Sequence, residues 1–232
     1  PETPEIIPWL STELKSGDKV AVNAQMFSVN AYASMKAELK MSGIELVSHD
    51  LLKEVWTDRP ALPHNPFFVF DVKYSGKSVT DKLTLLREEL RKAHANVFVM
   101  SALDDIAWLF NIRGNDVAFN PVVIAYALVD EEKAMLFVGP AKCTDASFSY
   151  LNDNGVIIAN YQDIYTQLRE IPTGKAVLYD GNKLNQSLYE AIPEACEKRV
   201  AMSPVFKLKS LKNEVEIAGV RKAMIKDGVA LT

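Results

Sequence analysis

The first clear pattern of apolar and polar positions predicts a β-strand, a helix and a second β-strand early in the chain. Residues 19–23 and 44–48 are apolar runs of the length of strands. Between them, Tyr32, Met35 and Leu39 recur at helical spacing. A crossover of this length makes the two strands parallel. We therefore expect a partial βαβ unit, too small to be a complete domain, and we place its missing strands upstream of the first residue.

A proline-rich segment follows this unit and predicts a domain boundary. Prolines 60, 63 and 66 cannot extend a helix or donate into a central strand. We expect residues 1–66 to be the C-terminal part of a first α/β domain together with a linker. Residues 67–208 then form a second α/β domain, and residues 209–232 are the first helix of a further, truncated domain.

Strand and helix patterns alternate within residues 67–208. A capping-box start at Ser78 and Asp81 opens an amphipathic helix whose apolar residues share one face. A buried strand follows, and we expect Ser101 to cap the short helix after it. Two later apolar runs flank a short acidic turn and predict an antiparallel hairpin. The pattern predicts an α/β fold in which a mixed β-sheet is flanked by helices.

The segment from residue 209 onward has the pattern of one long helix. Its apolar stripe contains Ile217, Val220, Met224 and Leu231. Acidic residues fall near its start and basic residues later, in accord with the helix dipole. Because the pattern stops without a capping residue, we expect this helix to pack in a domain that the sequence does not include.

Composition narrows the class of protein. The 232 residues are 48% hydrophobic and 24% charged, which is typical of a soluble globular protein. A formal charge of −4, with Lys and Arg scattered, argues against a nucleic-acid binder. Apolar runs are too short to span a membrane, and two distant cysteines do not make a disulfide framework. We expect a cytoplasmic protein without nucleic-acid or membrane partners.

Candidate metal ligands and nucleophiles are sparse. The three histidines, His49, His64 and His94, lie in separate elements and match no ligand spacing. Neither cysteine has a neighbour that would activate a thiolate. Asp104 and Asp105 are adjacent, but neighbours on a helix point about 100° apart and cannot share a proton. Stabilisation of the helix start is the default role of Asp104. We therefore expect no catalytic residue and no metal ligand in this chain.

The segment DIAWLFNIRGNDVAFNPV (105–122) contains the strongest candidate for a binding loop. The guanidinium of Arg113 suits a carboxylate, and Gly114 allows close approach of the backbone. Asn111 adds an amide that can bind a ligand or close a turn. The alternative is an ordinary turn that satisfies its own backbone, with Arg113 paired to an acid such as Asp116. These residues alone favour the ordinary turn and leave the choice open.

The same segment closely resembles the second domain of cytosolic Xaa-Pro aminopeptidases (aminopeptidase P). That family has the pattern Ala-Leu-Asp-x-Ile-Ala-Trp-Leu-Phe-Asn-x-Arg-Gly-x-Asp-x-x-x-Asn-Pro-Val, and residues 102–122 match it. Two further matches keep the family's order: LLKEVWTDRPALPHNP before the second domain and KNEVEIAGVRKAMIKDGVAL at the end. The resemblance covers nearly the whole chain from about Lys19.

This resemblance implies a creatinase/prolidase N-terminal-like fold and a longer enzyme that removes N-terminal residues preceding proline. In the family, two divalent metal ions, usually manganese, are held by a pita-bread domain, none of whose ligands can be placed on this sequence. The chain would then be a non-catalytic N-terminal region, inactive alone and without a cofactor of its own. It would shape access of proline-containing peptides and support subunit association, with a homodimer as the expected assembly. Asp105, Asn111 and Arg113 are expected to face the substrate cleft.

A second hypothesis belongs to a different functional class. The chain would be a non-catalytic binding module related to the peptidase-like domain of a histone-chaperone subunit. The two hypotheses differ in whether metal ligands follow this sequence in the longer protein. The close match to the aminopeptidase pattern favours the enzyme.

Overall fold

The computed structural model describes residues 3–231, which form two compact units. The first unit extends to Leu62 and includes Gly181–Ile192, and the second comprises Pro63–Asp180 and the chain from Pro193 onward. Among the described residues, none of the helices has the length and apolar character that crossing a membrane requires.

The described residues form eleven α-helices and ten β-strands. The helices are α1 Ile6–Glu13, α2 Val29–Met41, α3 Leu52–Val55, α4 Val72–Ser75, α5 Val79–Lys92, α6 Leu103–Leu109, α7 Asp145–Asp153, α8 Asp163–Arg169, α9 Gln186–Ala191, α10 Pro204–Ser210 and α11 Glu214–Leu231. The strands are β1 Lys19–Val22, β2 Glu45–Ser48, β3 Phe68–Val69, β4 Val97–Met100, β5 Ile112–Arg113, β6 Tyr126–Asp130, β7 Ala134–Phe137, β8 Val156–Ala159, β9 Ala176–Tyr179 and β10 Glu197–Val200.

The first unit is built on the parallel strands β1 and β2, joined by α2. The Ser28 hydroxyl caps α2 by accepting the N–H of Ala31 at 3.2 Å. The helix buries one face against the strands, with Tyr32 and Leu39 in the core. After the helix, Gly43 takes a φ of +73°, where a Cβ would collide with Ser16. The βαβ unit predicted from the sequence is confirmed.

The segment Gly181–Ile192 completes the packing of this first unit. The N–H of Val29 donates to the carbonyl of Leu184 at 3.0 Å, and the N–H of Gln186 donates to Phe27 at 2.9 Å. The side chain of Asn30 donates to Asn182 at 2.8 Å. Helix α9 therefore belongs to the unit of β1 and β2, although its neighbours in sequence belong to the second unit.

The second unit contains a six-stranded mixed sheet in the order β10-β9-β4-β6-β7-β8. Strand β4 pairs in parallel with β9 and antiparallel with β6. Strands β6 and β7 form the predicted antiparallel hairpin, and β8 adds in parallel to β7. A mixed sheet flanked by helices is the predicted fold class, and it is confirmed.

Helix α5 contributes much of the core of the second unit. Its start is a complete capping box, in which Ser78 and Asp81 accept each other's backbone N–H. Val79 and Leu86 are fully buried on its inner face. Residues of β4 are buried on both sides, as expected of a strand inside a sheet covered by helices.

Several local expectations differ from the structure. Ala102, not Ser101, is the N-cap of α6, and no side-chain bond caps this helix; the acidic residues of its first turn provide the favourable charge instead. The apolar run of residues 121–129 predicts the first strand of the hairpin, but that strand begins only at Tyr126. The residue pattern predicts neither α1, α10 and β10 nor the short antiparallel pair of β3 with β5, because these elements are short or lack a clear period.

We predict that Leu188→Ala destabilises the first unit and spares the second. Leu188 is fully buried in α9, so its truncation leaves a cavity that costs about 2–5 kcal/mol. Hydrogen exchange should become faster in α2, β1 and β2 and stay slow in the six-stranded sheet. The matched control Leu136→Ala, in β7, should give the opposite pattern. Equal loss of protection in both units after Leu188→Ala would contradict the assignment of α9.

Candidate functional site

The candidate residues Asp105, Asn111 and Arg113 belong to the second unit. They lie in one segment of nine residues, which extends from the first turn of α6 to the end of β5. Helix α6 is buried along most of its length. Strand β5 follows after a tight turn and pairs with β3. The three side chains are therefore held by packed backbone, and each has a different environment.

Asp105 is a buried carboxylate with both oxygens bonded. It is 2% exposed, and its Oδ2 accepts the hydroxyl of Ser203 at 2.6 Å. Its Oδ1 accepts Lys209 Nζ at 2.8 Å. Both partners come from around α10, so Asp105 ties α6 to α10.

Asp104 shares the same lysine, although it points away from Asp105 on the helix. Its Oδ2 forms a hydrogen-bonded ion pair with Lys209. Burial lowers the pKa of Lys209. The hydrogen bonds that Lys209 donates to Asp104 and Asp105 raise the pKa by more, so the net shift is upward. The two carboxylates therefore share one lysine, which favours the protonated form of its amine.

Asn111 forms the turn between α6 and β5 in a left-handed conformation, with a φ of +51°. It is 1% exposed, and its Oδ1 accepts Lys82 Nζ at 2.5 Å. Its Nδ2 donates to the carbonyl of Lys77 at 2.9 Å and to the hydroxyl of Tyr150 at 3.3 Å. Asparagine tolerates this φ better than most residues, and here its amide is fully used.

Lys82 is the residue of this site that the sequence analysis missed. It lies on α5 between Val79 and Leu86 at helical spacing, so it occupies the apolar face. That position of a lysine was the available signal. Burial lowers its pKa from 10.5 to about 7.

Arg113 differs from the other two candidates because it is only partly buried. Its Nη1 donates to the carbonyls of Ala107 and Ile112 at 2.7 and 2.8 Å. Its Cζ lies 4.5 Å from the centroid of the Phe70 ring. Burial lowers the pKa of the guanidinium, and the charge of Glu216 opposes that shift. Within residues 3–231, Nε and Nη2 of Arg113 have no hydrogen-bond partner.

The proposed pairing of Arg113 with Asp116 is wrong. Asp116 instead forms a buried ion pair with Lys142, and the same oxygen accepts the N–H of Ile124 at 2.6 Å. Its other oxygen is buried without a partner among the described residues. The pair comes from residues 26 positions apart, a separation that local sequence inspection does not reach. It fixes the loop after β5 to the rest of the unit.

The family of the chain follows from its match to a known domain. The family model for the Creatinase/Prolidase N-terminal domain matches residues 58–216, which include α6, β5 and every candidate residue above. The chain belongs to the creatinase/prolidase N-terminal domain family. The family expected from the sequence pattern is thereby confirmed.

Known members of this family that resemble the chain are named aminopeptidases. A probable Xaa-Pro aminopeptidase P of Sordaria macrospora is 37% identical over 239 residues, covering 96% of this chain and 38% of the relative. Xaa-Pro aminopeptidase 1 of Dictyostelium discoideum is 35% identical over 240 residues, covering 98% of this chain and 38% of the relative. The chain therefore spans less than two-fifths of the length of these relatives.

A solved structure agrees with the fold of this creatinase/prolidase N-terminal chain. The X-prolyl aminopeptidase of Caenorhabditis elegans superposes with a TM-score of 0.89 at 28% identity, covering all of this chain and 39% of that one. It is described as a cytosolic enzyme with a di-nuclear active site. Its likeness extends over both units of the chain.

The residues described here do not fit a di-nuclear metal centre. Residues 3–231 contain no group of three or more His, Cys, Asp or Glu side chains placed to hold a metal ion. The carboxylates near the candidate site are paired with lysines: Lys209 is shared by the exposed Asp104 and the buried Asp105, and Lys142 pairs with the buried Asp116. A cation would have to displace an ammonium group at either position.

We predict that Asp116→Ala lowers the free energy of unfolding by about 3–5 kcal/mol, because it leaves the ammonium of Lys142 buried without an opposite charge. Chemical denaturation measures the change. Lys73→Ala breaks an exposed ion pair of the same unit and should leave the free energy of unfolding nearly unchanged. The double variant Asp116→Ala, Lys142→Met should recover part of the loss. Equal small effects of Asp116→Ala and Lys73→Ala would show that the buried pair contributes little.

Proposed function

We propose that this chain is the non-catalytic N-terminal region of an Xaa-Pro aminopeptidase. The longer protein removes N-terminal residues that precede proline, and this region shapes access of peptides and supports association of two subunits. The observation that carries the proposal is identity of 35–37% to proteins named Xaa-Pro aminopeptidase over nearly the whole chain. The fold shared with the X-prolyl aminopeptidase of C. elegans supports it.

The charged contacts of the site support a structural role for most of its acids. Asp105 and Asp116 are each neutralised by a lysine and bonded to a neighbouring element. The charge of each acid is thereby used within the unit, which favours a structural role. We propose that the two divalent metal ions of the enzyme, manganese by family resemblance, are held outside residues 3–231.

We propose that Arg113 is the residue of the turn that faces the substrate cleft. Its Nη1 is anchored on two carbonyls, and its face lies against Phe70, so the remaining guanidinium donors have a fixed direction. A carboxylate of a bound peptide is the acceptor that this fork fits. Asp105 and Asn111, expected beside Arg113 in the cleft, are buried and would act on substrate by holding the turn in shape.

Further properties of the longer protein are proposed on the same basis. Proline-containing peptides are its substrates, and the cytoplasm is its compartment, as for the cytosolic enzyme of C. elegans. A homodimer is the proposed assembly. The alternative of a binding module related to a histone-chaperone subunit has no support among the relatives or the structural neighbour.

We predict that this chain alone does not cleave Xaa-Pro peptides, whereas the full-length protein does. Both are assayed with the same peptides in the presence of manganese, with release of the N-terminal residue as the measurement. The expected difference arises because residues 3–231 contain no group of donors for a metal ion. Turnover by the chain itself would refute the proposal. An inactive full-length protein would also refute it and would favour a binding module.

We predict that Arg113→Ala in the full-length protein lowers kcat/KM by roughly 10–100-fold, with a loss that depends on peptide length. Removing a charge-assisted hydrogen bond to a substrate carboxylate costs about 1.5–3 kcal/mol, which gives a factor of this size. Steady-state kinetics on Xaa-Pro peptides of increasing length measure the change.

Arg91→Ala is the matched control, because Arg91 is an exposed arginine of the same unit. It should leave kcat/KM unchanged. If Arg113→Ala leaves kcat/KM unchanged at every peptide length while the enzyme stays folded, the turn has no role in binding.

A further inference from the structure

Lys82 is enclosed by the second unit, and within residues 3–231 no acidic side chain is bonded to its Nζ. It is 1% exposed. Its Nζ faces three acceptors: the Trp108 carbonyl at 2.8 Å, Asn111 Oδ1 at 2.5 Å and the Trp108 ring, with its centroid at 4.3 Å. A protonated amine has three N–H donors, and a neutral amine has two. The surroundings of Nζ therefore match the ammonium form.

Trp108 connects this ammonium to the first turn of α11. One face of its ring contacts the charge of Lys82. The indole Nε1–H donates to Glu216 Oε1 at 3.1 Å. A positive charge over the ring makes the indole N–H a stronger donor, so the two contacts reinforce each other.

Glu216 belongs to the part of α11 that is anchored to the unit. Asn213 and Glu216 accept each other's backbone N–H at 3.0 Å. Asn213 Nδ2 also donates to the carbonyl of Ser75 at 2.9 Å. Gly76 has no room for a Cβ, because the side chain of Asn213 lies against it. The contacts of Asn213 and Glu216 therefore hold the first turn of α11 against the unit.

The charges around Lys82 set its protonation near neutral pH. The pKa of Lys82 is lowered from 10.5 to about 7: burial is the largest cause, Glu216 acts in the opposite direction, and Arg113 and Lys77 lower the pKa by smaller amounts. Tyr150, on α7, completes the titratable groups of the network through its hydrogen bond to Asn111. Of the charged groups named here, Glu216 is the one that favours protonated Lys82, and it lies on α11.

We propose that Lys82 is a proton-dependent latch on the first turn of α11. The protonated amine holds the indole of Trp108 and supports its bond to Glu216, and loss of the proton removes the cation–π contact and the attraction to Glu216 together. Because Glu216 stabilises protonated Lys82, protonated Lys82 stabilises the docked turn by the same amount. The latch does not depend on the proposed aminopeptidase role.

The test follows the indole N–H resonance of Trp108 by NMR across about two pH units on either side of pH 7. Trp108→Phe assigns this resonance among the three tryptophans. We expect one inflection near the pKa of Lys82. The amide of Ile217, which donates to the Asn213 carbonyl at 2.9 Å, reports docking. Its protection factor, corrected for the intrinsic exchange rate, should fall as the pH rises through the inflection.

Four variants, one of them a control, identify the group that titrates. Glu216→Gln should move the inflection to lower pH, because it removes the charge that favours protonated Lys82. Lys77→Gln should move it to higher pH. Lys82→Met should abolish it, and Lys92→Met, on the exposed side of the same helix, should leave it in place. If Lys82→Met does not fold, the opposite shifts of Glu216→Gln and Lys77→Gln decide.

Docking of the α11 turn and the free energy of unfolding of the unit should change with pH in opposite directions, which distinguishes the two. The folded pKa of Lys82 lies below its unfolded value of 10.5, so the unfolded chain binds more protons between about pH 7 and 10.5. Lys82 therefore makes the unit more stable against unfolding as the pH rises, while the turn of α11 loosens. The proposal is overturned by an inflection that Glu216→Gln and Lys77→Gln leave unmoved, or by constant Ile217 protection.

Discussion

The buried ammonium of Lys82 is the constraint on which the geometry of the turn depends. A cation inside a protein is costly unless hydrogen-bond acceptors surround it. The acceptors here are the Trp108 carbonyl and the Asn111 amide, and Asn111 reaches Lys82 from a left-handed backbone conformation. That conformation reverses the chain into β5 and so sets the position of Arg113. The packing of α5 is thereby coupled to the one candidate side chain that keeps free donors.

The buried acids of the site also need partners, because a buried negative charge is as costly as a buried positive one. Asp105 and Asp116 are each matched by a lysine that lies far along the chain, 104 and 26 residues away. Removing one partner of such a pair costs much more than a surface ion pair contributes. The two ion pairs therefore fix α6 and the loop after β5 to parts of the second unit that are distant in sequence.

The sequence predicted what periodicity and local caps determine. Helices α2 and α5 carry regular apolar faces, and the capping box of Ser78 was visible three residues from Asp81. The mixed sheet followed from the alternation of strands and helices. Pairings between distant residues could not be predicted in this way: Arg113 was matched to its near neighbour Asp116, whereas Lys142 takes that carboxylate. The burial of Lys82 was not predicted, because a lysine beside an apolar helix face usually extends its amine into solvent.

Helix α9 packs in the first unit although its neighbours in sequence belong to the second, so sequence order alone assigns it to the wrong unit. The β–α alternation continues smoothly through residues 176–191, so nothing local sets α9 apart from α8. Its placement has a physical reason. Strands β1 and β2 form only a two-stranded sheet, and such a sheet is stable only when further apolar residues pack against it. Helix α9, in which Leu188 is fully buried, contacts α2 and so supplies part of that cover. The chain therefore enters and leaves the first unit through Gly181 and Ile192, and the two units cannot be separated by a single cut.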